Sequence, residues 1–468
     1  MKVVKGRGLV TRNGTFIFPK DEELTKDELL GFIDYNTQNL MPKYRKNMEL
    51  YLSKHEILKI EDKEIGSTYK LVVNSAKYIV DTYNGYFLGI PPKISLDKSE
   101  DNDKLQTWLN HVSFADKLNE ISKQVDIYGR SIGFLYQNEN AETGFTYLSP
   151  TKAFIIYDDT VERNPLAFVR YEYYDNENEY QARGKIYYSK LVYDFNSTNL
   201  DENPSPNPYQ MIPAVEFYEN EERQGVFDPV RTLIDAYDKA LSQKADQVEY
   251  FDNAYLAMMG IHLPTDKNGN PILDIRKNRF LYLPNLDPQS NPDVKFIAKP
   301  DGDQMQENYL NRLDNLIYQI SMIPNMKDQE FSGNASGVAL EYKLLPMRNK
   351  SNNKERKFTK SLRALFRAVF STGQVISQSG KDSWEDLQFQ FTRNIPKDIA
   401  GSISAAKQAE GMISKRTQLS LLPFINDPDN ELEQVDKEKQ ESIKQAREAA
   451  DALPDYMKNG EGDDHQEE

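Results

Sequence analysis

The 468 residues carry 58 Lys and Arg against 73 Asp and Glu, a net charge of −15, with 38% hydrophobic and 11% aromatic residues and no cysteine. That balance excludes a disulfide framework, a thiolate metal site and a wholly disordered chain, and the length suffices for two to four packed units. The four histidines, His55, His111, His262 and His465, are too far apart for helical or hairpin metal-ligand spacing, Met1–Lys20 lacks a signal-peptide core, and no run approaches the roughly 20 apolar residues of a membrane span, so a cytosol-like compartment and no membrane partner are expected.

Residues 22–126 are expected to be mostly helical. Leu29, Phe32 and Ile33 fit one helix face, and Leu71, Val72, Ala76, Ile79, Val80 and Tyr83 fit another at spacings near three and four. Before them, Gly6-Arg7-Gly8 is a lone glycine pair in an N-terminus expected to be mobile. Residues 130–220 change character. Ile132–Tyr136, Ala153–Tyr157 and Ala167–Tyr171 are short and rich in β-branched and aromatic residues, separated by turn-forming stretches, and predict an antiparallel sheet.

A long helix is predicted from Asp228-Pro229, a capping carboxylate followed by proline at the first helical position. Its apolar positions include Leu233, Tyr237 and Leu241, and the pattern extends to Met259 before Gly260. A second helix is predicted from Asp303 to Ile323, with Met305, Tyr309, Leu313, Leu316, Ile317 and Ile320 on one face and Pro324 as its stop. Between them, strand signals at Arg279–Leu283 and Asp293–Ala298 and a turn at Asn268-Gly269 predict a small β-containing tip. Such a helix pair has narrow apolar stripes and little core of its own. It either packs against copies of itself or is a helical hairpin inside one globular core.

A third long helix is predicted from Ser336 to about Phe370, with a kink at Pro346, which removes a backbone donor. Trp384–Phe391 predicts a strand, and Ile399–Met412, Lys415–Phe424 and Glu431–Ala450 predict helices. Asp451–Glu468 holds seven acidic residues and one lysine, and is expected to be a disordered tail.

Several segments then resemble one family. Tyr83-Asn84-Gly85-Tyr86-Phe87-Leu88-Gly89-Ile90-Pro91, Ile127-Tyr128-Gly129-Arg130, Phe154–Asn164, Pro324–Gly333 with Ser336-Gly337, and Ile413–Thr417 are similar, in order, to segments of the portal proteins of long-tailed phages, mostly of Gram-positive hosts. The resemblance implies an α+β, mainly α, portal architecture of wing, stem, clip and crown, with long stem helices, a kinked wing helix and a small β-containing clip. Its expected boundaries are 1–225 for the wing, 226–260 and 301–324 for the stem helices, 261–300 for the clip, 325–335 for a tunnel loop, 336–398 for the kinked wing helix and a strand, and 399–450 for the crown. It implies a ring homo-oligomer, a dodecamer in the virion, assembled in the host cytoplasm and placed at the capsid portal vertex. The implied partners are double-stranded DNA in the channel, the terminase large subunit, a head–tail connector or adaptor protein, and the major capsid and scaffolding proteins.

On that resemblance, Asn325, Lys327, Asp328, Gln329 and Glu330 are expected to face DNA, and Leu233, Tyr237, Leu241, Leu313, Leu316 and Ile320 to pack between subunits. Lys267, Arg276 and Lys277 are expected to meet partners at the clip. The chain has no clustered basic run, so DNA is expected to be guided rather than gripped.

Catalytic chemistry is not expected. Gly184-Lys185 is followed by Ile186 and Gly380-Lys381 by Asp382, so neither forms a Walker A loop. Asp158, Asp159 and Glu162 fit a polar turn between strands better than a metal-binding cluster, and no cofactor is expected. The rival readings are another capsid-associated structural protein and a metal-dependent DNA nuclease.

Overall fold

The computed structural model describes residues 1–62, 68–176, 179–197, 199–201, 203–252, 255–259, 265, 280–283, 293–297, 303–326, 337–394, 399–420, 422, 425 and 428–451. Two compact units emerge, Met1–Asn394 and Ile395–Glu468. Among the described residues no helix is long and apolar enough to cross a membrane.

The first unit opens with three strands, β1 (Lys2–Lys5), β2 (Gly8–Val10) and β3 (Phe16–Phe18), which corrects the expectation of a mobile N-terminus. Phe16, Ile17 and Phe18 are all buried, and the turn is fixed by charge. Arg7 donates from Nε and Nη2 to the two carboxylate oxygens of Glu28, each at 2.9 Å. Glu28 also closes a capping box with Thr25 at the start of α1 (Lys26–Tyr35). The hydrogen bonds from Arg7 hold the Glu28 carboxyl well below the usual carboxylate range.

The helical region follows as α2 (Met41–Tyr51), α3 (Ser75–Leu88), α4 (Ser99–His111) and α5 (Phe114–Tyr128), with a short strand β4 (Lys93–Ser95) between α3 and α4. Gly129 ends α5 at φ +86°, and a Cβ there would lie 2.1 Å from the Arg223 carbonyl oxygen. The left-handed turn and the close approach of a second backbone therefore both require glycine.

The predicted single antiparallel sheet is two sheets. Strands β5 (Arg130–Gln137), β6 (Thr143–Leu148) and β12 (Ala214–Tyr218) form one, in the order β12-β5-β6. Strands β7 (Ala153–Asp158), β8 (Pro165–Asn176), β9 (Glu179–Tyr187), β10 (Leu191–Asn196) and β11 (Ser205–Pro206) join the N-terminal strands in an eight-stranded sheet, β1-β2-β3-β7-β8-β9-β10-β11. Its β3–β7 pair is parallel, with Phe16 opposite Ile156. Alternation within each strand revealed strands but not which strand neighbours which. Phe134, Ile155 and Phe168 lie in the core between the two sheets.

Helix α6 (Arg231–Asp252) is shorter than expected. The apolar run after it, Tyr255–Met259, is strand β13, which pairs in parallel with β14 (Phe280–Leu283) and antiparallel with β15 (Asp293–Ile297). Asp228 does not cap a helix by its side chain. Its carboxylate instead accepts from Asn47 Nδ2 at 2.8 Å and Gly225 N at 3.0 Å. Helix α7 (Asp303–Ser321) is followed by Met322 at φ +64° and then Pro324. Helix α8 (Gly337–Ser371) continues through Pro346 for 35 residues, about 52 Å at the standard rise. Strand β16 (Gln388–Gln390) pairs with β4. The largest core lies where Phe358, Leu362 and Phe366 of α8 meet Phe114 and Leu118 of α5 and Phe145 and Phe217 of the small sheet.

The second unit contains α9 (Ile399–Gln408), α10 (Lys415–Ser420) and α11 (Pro428–Asp451). Ser414 caps α10 by accepting from Thr417 N at 3.3 Å, and Gln418 Nε2 donates to the Ala406 carbonyl at 2.8 Å. The acidic tail expected to be disordered lies, after Asp451, outside the described residues.

Two stability outcomes follow. Gly129→Ala should lower the urea unfolding midpoint by an amount equivalent to about 1–3 kcal/mol from left-handed strain alone. The same substitution at Gly85, where a Cβ meets nothing within 4 Å, should be neutral or stabilising, because alanine favours the helix.

Candidate assembly surface: the paired helices and their base

Helices α6 and α7 run antiparallel, because the end of one pairs with the start of the other. Lys244 reaches Asp303 at 2.8 Å and also binds Glu307, and Gln306 Nε2 donates to Gln247 Oε1 at 2.6 Å. At the other end the Tyr318 ring meets Tyr78 of α3 edge-on at 5.5 Å, and burial pushes the Tyr318 hydroxyl up to about 12. Leu310, Leu313, Ile317 and Ser321 form the buried side of α7.

An extended segment, residues 69–73, runs along α6. Tyr69 N donates to Asp246 Oδ1 at 2.8 Å, Leu71 N to Ser242 Oγ at 2.9 Å, and Val73 N to Asp238 Oδ1 at 2.8 Å. Every second residue of an extended chain advances roughly 6.6 Å, and every fourth residue of a helix about 6 Å, so the two periods match. Asp238 also binds the fully buried His55, whose other ring nitrogen faces the Leu50 carbonyl. His55 is thus a packing histidine, and among the described residues no three His, Asp or Glu side chains are placed to hold a metal ion.

The base of the helix pair is held by two lysines one turn apart on α8. Lys350 Nζ donates to the Ser321 carbonyl at 3.2 Å and the Val226 carbonyl at 3.5 Å, so it touches the last residue of α7 and the approach to α6. Lys354 is fully buried and donates to Asp126 Oδ1 of α5 at 2.6 Å. Its ammonium lies 4.8, 4.9 and 5.5 Å from the ring centroids of Tyr83, Phe87 and Phe358. Burial pushes the Asp126 carboxyl up to about 7, against the attraction of Lys354. Nearby, Glu216 is held by Arg130 at 3.1 Å and Arg223 at 3.0 Å and accepts from Tyr157 Oη at 3.1 Å. Burial opposes its charge, but the two arginines prevail and keep Glu216 below the usual carboxylate range.

The residues expected to pack between subunits separate into classes. Leu313 is 4% exposed and belongs to this chain's own core. Leu233, Tyr237, Leu241 and Leu316 are half-buried, and Ile320 is 46% exposed. The predicted single stripe of α7 is two stripes side by side. Leu310, Leu313 and Ile317 face inward. Met305, Tyr309, Leu316 and Ile320, at spacings of four, seven and four, flank them, and all but Leu316 are exposed. Val248 adds a further exposed apolar residue on α6.

Asn325 is described, and its Nδ2 donates to Asp314 at 2.9 Å. Lys327, Asp328, Gln329 and Glu330 lie outside the described residues, as do Lys267, Arg276 and Lys277. The Asp158 carboxylate is used by its own turn, accepting from Thr160 N at 3.2 Å and Asn164 N at 3.0 Å. Sequence reasoning missed Lys350, Lys354 and Asp126. The available signal was a charge on an apolar face: Asp126 follows Leu118, Ile121 and Val125, and Lys354 sits between Met347 and Phe358.

The chain's residues 30–445 match the family model described as phage portal protein, SPP1 Gp6-like. It is 24% identical over 391 residues to a portal protein of Bacillus phage SPP1, covering 77% of this chain and 74% of that relative. A portal protein of Clostridium phage phiCD119 is 20% identical over 376 residues, covering 76% and 81%. Among solved structures, a chain from the virion of a native gene transfer agent particle aligns over 81% of this chain and 93% of its own, at 10% identity and a TM-score of 0.39. With the match extending from α1 to α11, this α+β chain belongs to the phage portal protein family.

Proposed function

We propose that this chain is one subunit of a closed ring, of twelve copies, whose central channel passes double-stranded DNA during packaging and ejection at one capsid vertex. The exposed apolar stripe of Met305, Tyr309 and Ile320 carries this reading. It lies on a helix pair whose inward side is already filled by Leu310, Leu313 and Ile317. The described residues leave the stripe exposed, and a neighbouring copy repeated around a rotation axis would cover it.

We assign α6 and α7 to the stem, the sheet of β13, β14 and β15 to the clip, residues 325–335 to the tunnel loop, and α9, α10 and α11 to the crown. The remainder up to Asn394 is the wing. The role is structural rather than catalytic. The terminase large subunit and, later, a head–tail connector dock at the clip, while the major capsid and scaffolding proteins meet the wing. Assembly takes place in the host cytoplasm.

Purified protein should appear in negative-stain images as closed rings with a central hole. A monodisperse monomer at micromolar concentration across a range of salt would overturn the reading.

The two stripes of α7 should separate by mutation. Tyr309→Asp or Ile320→Asp should weaken each subunit contact by roughly 1–3 kcal/mol, the scale of an unpaired polar group in an apolar contact, and leave the melting temperature of the subunit unchanged. Leu313→Asp should abolish the fold itself. Rings forming normally from both surface variants would place the subunit contact elsewhere.

Shortening the loop at 325–335 should leave rings intact and impair packaging or retention of DNA by purified motor and proheads. Normal packaging with that loop removed would refute its placement in the channel.

A further inference from the structure

Helix α8 is basic within an acidic protein. It holds nine Lys and Arg against two Glu, whereas the whole chain has 58 against 73. The excess is sorted by face. From Leu345 to Ser371 the exposed cations are Arg348, Arg356, Lys360 and Arg367, and the exposed amides are Asn349, Asn352 and Asn353. The other exposed positions are Leu345, Pro346 and Ala364, so this stretch exposes no carboxylate, and the exposed Glu341 lies on the same face two turns before Arg348. The one glutamate of this stretch, Glu355, is drawn off the face by Arg393. Among the described residues none of Arg348, Arg356, Lys360 and Arg367 forms an ion pair, although the Arg367 guanidinium lies 5.5 Å from the Trp384 ring centroid. A merely solvated helix face carries both signs, as α4 does with Glu100, Asp103 and Lys104 exposed together.

We infer that the exposed face of α8 is a contact track for the phosphate backbone of duplex DNA, with Arg348, Arg356 and Lys360 as its charged contacts and Asn349, Asn352 and Asn353 as neutral donors. This rests on the channel reading above and adds the surface that touches the nucleic acid. From Arg348 to Arg367 the helix rises about 28 Å, equivalent to roughly eight base pairs of B-form duplex. Arginine, lysine and asparagine are among the side chains that contact phosphate oxygens, and such contacts carry no sequence information. Neutral amides position a backbone but release no counterion, so a track that alternates amides with sparse cations touches DNA without trapping it. The buried lysines of the same helix, Lys350 and Lys354, are spent on Ser321 and Asp126 and do not contribute to the track.

The test titrates the assembled full-length protein into a fluorescent 30-base-pair duplex at several salt concentrations. Wild type should bind weakly and with a clear salt slope. The triple variant R348Q/R356Q/K360Q should bind at least tenfold more weakly at low salt. Its slope should fall by roughly 0.9 for each contact removed, with the oligomer unchanged by light scattering. An unchanged affinity and slope would overturn the inference. So would loss of assembly in the triple variant, which would make the face a contact between subunits. Tighter binding of wild type to a synthetic acidic peptide of sequence 451–468 than to the duplex, lost in the triple variant, would overturn it as well, by identifying the chain's own tail as the occupant. If wild type itself forms no ring, the channel reading fails on the scattering data, while the salt slope of the variants still decides whether α8 meets DNA.

Discussion

A buried ammonium is tolerable only when its charge is met, and in this protein that requirement ties three parts of the chain to one point. Lys354 of α8 has no access to water and pairs with Asp126 of α5, with the faces of Tyr83, Phe87 and Phe358 around it. Removing either partner would leave an uncompensated buried charge, which generally costs about 3–5 kcal/mol, far more than the pair itself contributes. The consequence is positional. With α8 fixed in rotation and depth by Lys354, Lys350 one turn earlier falls on the carbonyls of Ser321 and Val226. The main chain of Asp126 meanwhile accepts from Val226 N at 2.7 Å. The last residue of α7 and the approach to α6 are thus both held by hydrogen bonds set beside one buried ionic contact.

One of the segments that carried the family resemblance supplies this contact directly, and two others close contacts of their own. Tyr83 and Phe87 of the Asn-Gly-Tyr-Phe-Leu-Gly stretch supply aromatic faces to Lys354, and Tyr83 Oη donates to Glu219 at 3.1 Å. Gly129 permits the Arg223 backbone to approach, and Arg130, the next residue, joins Arg223 on Glu216. The stretch from Asp158 to Asn164 closes its turn through one carboxylate. These short motifs are legible in sequence because each answers a local demand for a special backbone angle or a buried polar partner, which few substitutions satisfy.

Other features were legible only in part. Helical periodicity located α3, α7 and α8 because their apolar positions recur with the helix, but it also counted Leu71 and Val72, which lie in the extended segment before α3. It overran α6, because Tyr255–Met259 is apolar enough to continue a helix and forms β13 only through pairing with β14 and β15. Partners distant in sequence, Phe16 and Ile156 above all, decided the sheet order and gave no local sign. On α7, sequence showed a broad apolar band and could not divide it. The division depends on which residues α6 covers, and that separates Leu313 from Ile320. The basic character of α8 is present in the sequence, but only burial shows which of its cations are spent inside, as Lys354 is, and which stay on the exposed face.

The extended segment laid along α6 also determines how force passes through the subunit. Its three hydrogen bonds, at Asp238, Ser242 and Asp246, are arranged in a row parallel to the helix axis. A pull along that axis loads all three in shear, so they must rupture together. A pull that lifts residue 69 away from the helix loads them in sequence, like a zipper. Axial thrust on the helix pair is therefore passed to α3, which begins at Ser75 just beyond the last rung, whereas a sideways tug can free the segment one rung at a time.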